Sequence, residues 1–179
     1  MQAARVTRET CGRAGRVVRF RVSVEQGLPT TPDAFAEALR ATLCDGRSWI
    51  GSGNVRFRYD PDGPLLIALR SPVGTERRCL QLIGLSVHLM YSCGTSREVV
   101  LNAARWFGGS PSWPGPVSEY RHMLINHETG HALRLGHQTC PANGAPAPVM
   151  MQQSKGLTFG GRTCVQNPWP LAQELRRIR

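Results

Sequence analysis

The sequence predicts an α+β domain. A twisted mixed sheet with helices fills most of it, one helix carries the chemistry, and the C-terminal part is rich in loops. Three observations point this way. Residues 16–25 and 54–60 alternate apolar and polar side chains with a period of two. Apolar residues recur at four-residue spacing after a helix-start signal at Thr31. Beyond His137 the composition turns to Pro, Gly and Ala. The 179 residues suffice for one domain with a real core. We read residues 1–179 as that single domain, with an upper part to about residue 136 and a lower part from about 137 onward.

The elements follow in order. Arg16 to Glu25 places Val18, Phe20, Val22 and Val24 on one face and Arg19, Arg21 and Ser23 on the other, a half-buried strand. Thr31-Pro32-Asp33 caps and opens a helix with the stripe Phe35, Leu39 and Leu43, and Asp45-Gly46 stops it. Asn54 to Asp60 is a second alternating strand, closed by the turn Pro61-Asp62-Gly63-Pro64. Leu65 to Leu69 is a continuous apolar run that reads as a central strand. Leu85, Val87, Leu89 and Tyr91 alternate as a further strand, which would put His88 on its polar face. Glu98 to Ala103 is the last strand. The Gly- and Pro-rich stretch 108–116 is a loop, and a helix runs from about Val117 to Leu133. Gly156 to Pro170 reads as loop and Leu171 to Arg179 as a short terminal helix.

Composition excludes several classes. No apolar run approaches the roughly 18 residues of a membrane span, so no integral membrane segment is expected. Met1 to Arg21 carries arginines throughout and shows no signal peptide. The net charge of +10 rests on 22 basic residues, all but one of them arginine. They are scattered, without a stripe interleaved with aromatics, so no nucleic-acid partner is expected. Such a surface still favours acidic partners. Six cysteines with no CxxC pair argue against a cysteine-bound metal and for disulfides in an oxidising compartment. Of 15 possible connectivities we favour Cys79–Cys93 and Cys140–Cys164, which close local loops, leaving Cys11–Cys44. Cys11 as a latency ligand for a metal is the less simple use of that residue.

The chemistry is concentrated in His127-Glu128-Thr129-Gly130-His131 and the following residues to His137. Side chains four apart on a helix point the same way, so His127 and His131 can share one zinc ion. Glu128 lies about 100° around the axis from His127. There it is placed to act as general base on a zinc-bound water. His137 can join only if the chain leaves the helix and turns back. A chance match to this three-residue pattern is expected in roughly one chain in two hundred of this length, and a correctly placed third histidine is rarer still. The segment is therefore taken as a metal site, with Glu128 catalytic and His127, His131 and His137 as ligands. His122 falls outside the ligand spacing.

This segment resembles the metzincin clan of zinc peptidases, whose motif is HExxHxxGxxH followed by a methionine-containing turn. Val149-Met150-Met151-Gln152 looks like that turn, and the resemblance implies Met150 as an apolar floor under the metal, not a ligand. Tyr120 to Met123, Cys140-Pro141, Ala147 to Gln153 and Asn167 to Pro170, with weaker likeness around Phe35, Trp49, Cys79, Cys93 and Asn102 to Trp106, resemble an uncharacterised bacterial family of zincin-like proteins that are secreted or membrane-anchored. The resemblance implies a zincin-like fold with an edge strand, here expected at Glu98 to Ala103, that pairs with extended substrate. Two positions depart from the clan. Arg134 stands where the motif has glycine, so the turn to His137 is made either by an arginine in left-handed conformation or at Gly136. Gln152 or Gln153 stands where some members have tyrosine.

The expected function is that of a zinc-dependent endopeptidase acting on a peptide or protein substrate. The chain is expected to act as a monomer, outside the cell or at its surface. Two other readings share the site: a zinc-binding module without proteolysis, and a zinc hydrolase acting on a non-peptide amide such as a cell-wall component. Zinc retained without cleavage would favour the first, and the basic charge would suit the anionic wall of the second.

Overall fold

The computed structural model describes residues 9–179 and the backbone of Gln2 and Ala3. Its centre is a seven-stranded mixed sheet in the order β2-β4-β3-β5-β7-β6, with β1 added beside β3. The strands are β1 (Gln2–Ala3), β2 (Thr10–Cys11), β3 (Arg16–Val24), β4 (Val55–Tyr59), β5 (Leu65–Arg70), β6 (Cys93–Gly94) and β7 (Glu98–Asn102). The inner four run parallel, and β1, β2 and β6 are antiparallel to their neighbours.

Strand β3 is long enough to serve two partners. Its first half pairs with β4 and its second half with β5, and both registers meet at Phe20. The chain crosses β3 there through the expected 61–64 turn. Asp60 N donates to Phe20 O at 2.8 Å. Gly63 approaches so closely that a Cβ would sit 2.8 Å from Phe20 N. Only glycine fits such a crossing.

One sheet face, lined by Phe20, Val22, Phe57, Ile67, Leu69, Val99 and Leu101, packs with helix α1 (Pro32–Leu43) and helix α4 (Val117–Ala132) into the main core. Thr31 Oγ1 accepts from Ala34 N at 3.1 Å, and the stripe Phe35, Leu39 and Leu43 is buried, as the spacing requires. The other face is covered by helix α2 (Pro72–Ile83), which brings Cys79 against Val100 and Cys93.

Helix α2 is not legible from apolar periodicity, because it buries only Thr75 and Cys79. Its end signals are present nonetheless. Ser71 Oγ accepts from Gly74 N at 3.1 Å, Pro72 opens the first turn, and Gly84 ends the helix in left-handed conformation at φ 68°. Helix α3 (Ala103–Gly108) follows β7 without a gap, capped by Asn102, whose side chain accepts from Ala104 N at 2.9 Å.

The strand expected over Leu85 to Tyr91 is a loop. Leu85 and Leu89 are 65% and 48% exposed. The backbone donors of Val87 and Leu89 go to the Glu76 carboxylate at 3.0 and 3.1 Å, not to a neighbouring strand. His88 and Leu89 both adopt positive φ, 55° and 59°, which breaks the alternation that the sequence displays. The strand at Glu98–Asn102 is also not an edge. It is flanked by β5 and β6, and the short antiparallel β6 is the outer strand on that side.

All six cysteines are paired as Cys11–Cys44, Cys79–Cys93 and Cys140–Cys164. The last closes a loop within the irregular C-terminal region, around a small cluster of Ala147 and Met151. That region holds only a hairpin, β8 (Thr158–Phe159) with β9 (Arg162–Thr163), and the one-turn helix α5 (Ala172–Leu175). Among the described residues no helix is long and apolar enough to cross a membrane.

Candidate metal centre

Helix α4 sends His127 and His131 to the same side, one turn apart, and both are joined by His137 from beyond its end. One ring nitrogen from each lies within 4.8 Å of the other two. The ring centres are 4.7 to 5.3 Å apart.

The turn to His137 is made at Arg134, not at Gly136. Arg134 has φ 69°, and Gly136 stays out of the left-handed region. Leu135 N donates to Gly130 O and Arg134 N to His131 O, both at 2.9 Å. These are the two bonds of the Schellman motif, with arginine in the position that usually holds glycine. The left-handed conformation costs an L-residue about 1 kcal/mol. The Arg134 side chain is exposed.

Two of the imidazoles are oriented by backbone carbonyls. His127 Nδ1 lies 2.8 Å from Val149 O, and His131 Nδ1 lies 2.9 Å from Leu135 O. A carbonyl oxygen only accepts, so each Nδ1 carries its proton and each Nε2 presents a lone pair. The His131 and His137 Nε2 atoms face each other at 3.1 Å. Burial, followed by the neighbouring His131, pushes the His127 pKa down to about 3, and burial also lowers those of His131 and His137. Neutral imidazoles at this spacing are the donor set of a divalent ion of zinc type. The residues present therefore fit a metal.

Glu128 is 5% exposed, and its Oε2 has no hydrogen-bond partner among the described residues. Burial alone pushes its pKa up to about 8. A buried carboxyl without a partner is costly for the fold, and such groups concentrate at functional sites.

Below the histidines runs the segment Val149–Met150. Met150 is fully buried and lies against Gly130 of the helix. Sequence reasoning missed what holds this segment. Glu174, on α5 and fully buried, accepts from Val149 N at 3.0 Å, Met150 N at 2.9 Å and Leu171 N at 2.8 Å. It also takes Gln138 Nε2 at 3.3 Å, and Gln138 N donates to Met150 O at 3.0 Å. One carboxylate thus ties together the residue after His137, the methionine segment and the carbonyl that orients His127. No local sequence signal marks this role, since Glu174 lies 24 residues from Met150.

A cleft of about 390 Å³ opens onto the three histidines and Glu128. Its lining includes Ile83, Leu85, Val87 and Tyr91 from the segment after α2, Met123 and Leu124 from α4, and Gln152 to Lys155. Strand β6 reaches the cleft through Cys93 and Gly94. Gly94 lies directly on the backbone of Glu128, and a Cβ there would sit 3.1 Å from the His131 Cβ. His88 belongs to the cleft rim and not to the imidazole cluster. His122 lies apart, with Nδ1 2.8 Å from Thr42 Oγ1 and its ring beside Trp169.

The sheet, the helix bearing His127 and His131, and the turn to His137 define a mixed α/β protein with a candidate three-histidine metal centre. The chain belongs to the family described as "Protein of unknown function (DUF3152)", whose model matches residues 2–172. Among curated proteins none matches. Among solved structures, the crystal structure of archaemetzincin from Methanopyrus kandleri is similar, with 13% identity, a TM-score of 0.48, and coverage of 92% of this chain and 93% of that one.

Proposed function

We propose that this protein is a zinc-dependent endopeptidase, with His127, His131 and His137 as ligands and Glu128 as general base. One observation carries the reading: three imidazoles converge in the lining of an open cleft, beside a buried carboxyl whose Oε2 has no hydrogen-bond partner among the described residues. Zinc held there supplies a Lewis acid that polarises a carbonyl and makes water acidic enough to lose a proton near neutral pH.

The chain's own residues do the rest. Glu128 takes the proton from the attacking water as the oxygen adds to the scissile carbonyl carbon. It then delivers that proton to the nitrogen as the C–N bond breaks. Val149 and Leu135 carbonyls hold two imidazoles in the tautomer that leaves Nε2 free. Met150 is the apolar floor that fixes helix α4 at Gly130. The outer edge of β6, whose Gly94 lies on the Glu128 backbone, receives the extended substrate as an added strand. Three disulfides suit a secreted or cell-surface protein.

The test compares wild type with Glu128→Ala on a broad peptide mixture, with and without a zinc chelator. Cleavage that the chelator stops, and that Glu128→Ala lacks while keeping zinc, is the expected result. Bound zinc with no cleavage of any peptide would instead establish a non-proteolytic zinc module. Metal analysis of His137→Ala addresses the third ligand, and unaltered zinc affinity would remove it from the set.

A further inference from the structure

The wall Gln152 to Lys155 ends in the chain's only lysine. The backbone of this wall is fastened from behind. Ser112 Oγ donates to Gln153 O at 2.7 Å, and Ser110 Oγ donates to Ser154 O at 3.0 Å. Ser154 Oγ lies 2.7 Å from the Tyr120 hydroxyl. The Gln153 side chain spans Pro148 O and Asn167 O at 3.3 and 2.8 Å and accepts from Asn167 N at 2.9 Å. Lys155 therefore stands on a fixed root, yet its ammonium is exposed and makes no ion pair among the described residues. It rests over the ring of Tyr91, another lining residue, 5.2 Å from the ring centre.

The other cation lining the cleft is committed. Arg105 Nε donates to Met90 O at 2.9 Å and Nη1 to Gly109 O at 3.2 Å. The only carboxylate in the lining is Glu128, buried beside the histidines. Away from the metal centre, the cleft thus presents one side-chain cation with open donors and no exposed anion of its own. A carboxylate entering between Tyr91 and Lys155 would exchange a cation–π contact for a stronger charge-assisted hydrogen bond.

Building on the peptidase reading, we infer that Lys155 is a specificity-determining residue that selects peptides bringing a carboxylate to this part of the cleft. The carboxylate is that of an Asp or Glu side chain or of a peptide C terminus. The apolar wall of Ile83, Leu85 and Val87 offers an anion nothing, so the selection rests on Lys155.

A peptide that wild type cleaves is resynthesised with Glu, Gln or Lys at each position flanking the cut, and with a free or amidated C terminus. At one position, or at the free terminus, kcat/KM should favour the carboxylate over its neutral counterpart by roughly tenfold. Lys155→Arg should keep that ratio, and raised salt should shrink it. Lys155→Glu should reverse it in favour of Lys. The two peptide series separate side-chain from terminal recognition. An equal Glu-to-Gln ratio in wild type and Lys155→Glu at every position, with no effect of amidation, overturns the inference. Were no peptide cleaved, the peptidase reading would fail separately. The inference would then be read from fluorescence anisotropy of zinc-loaded protein with labelled Ala-Glu and Ala-Gln octapeptides. Preference for Ala-Glu that is lost in Lys155→Glu supports it, and equal binding of the two peptides refutes it.

Discussion

Gly130→Ala should destabilise this protein, although in an ordinary helix the same change stabilises. Gly130 lies inside α4, between the two histidines. Ala in place of Gly in a helix interior gains about 1 kcal/mol. Here the added Cβ would meet Met150 Sδ and would lie 2.9 Å from Trp49 Cζ2, where ordinary carbon contacts are about 3.5 to 4.0 Å. Neither neighbour has room to retreat. Trp49 is fully buried, with its indole N–H held by Asn126 O at 3.0 Å. Met150 is fully buried, with its backbone N–H held by Glu174. Overpacking of this kind costs about 1 to 3 kcal/mol. The conflict falls on rigid neighbours, so the upper part of that range applies and the net loss is about 1 to 2 kcal/mol. A chain of this size should melt roughly 2 to 8 °C lower. Any displacement of Met150 also moves Val149, whose carbonyl orients His127, so zinc affinity should fall with stability. The assay is urea unfolding plus zinc titration against a competing chelator. Gly108→Ala serves as control, because that helical glycine faces open space and should gain a few tenths to about 1 kcal/mol. A Gly130→Ala protein with an unchanged or higher midpoint and full zinc affinity would refute the packing argument.

Three further predictions concern the same region. Arg134→Gly removes the left-handed strain at φ 69° at the expense of a looser unfolded chain, and should raise stability by about 0.5 to 1 kcal/mol in urea unfolding; a loss would mean that Arg134 makes a contact worth more than the strain. In zinc-free protein, burial holds Glu128 protonated to about pH 8 against an ordinary 4.5, so the native state binds the extra proton between those values. Its contribution to stability is then greatest at low pH and is lost as pH rises through that window, and Glu128→Gln should flatten this decline in urea midpoints measured under chelator. His127, pushed from 6.5 to about 3, acts in the opposite sense, with stability lost as pH falls through that window. Replacing Cys140 and Cys164 together by serine opens a loop of 24 residues and should cost roughly 3 kcal/mol; an equal midpoint would show that Gln138, Met150 and Glu174 hold the region without the bridge.

Much of the site was legible because its parts are local. The 3.6-residue period alone brings His127 and His131 to one side, and the two strands with strict alternation follow from a period of two. What escaped was either weakly periodic or held by distant groups. Helix α2 announces itself by Ser71-Pro72 and Gly84 but buries too little to show a stripe. The 85–91 segment alternates like a strand, yet its backbone is claimed by Glu76, one helix earlier. The expected edge at Glu98 is displaced by the two residues of β6, a pairing too short to mark itself in sequence.

The three histidines and the glutamate show the division most clearly. Their order along the chain determined that a metal site is possible, because helix geometry needs no tertiary contact to align residues four apart. Whether His137 returns to that point was a tertiary matter. It depends on Arg134 accepting a left-handed backbone, and on Glu174 anchoring Gln138 and Val149–Met150 from a helix that comes more than twenty residues later. Hydrogen bonds across such separations leave no period in the sequence, because each partner is chosen by the fold and not by its neighbours along the chain.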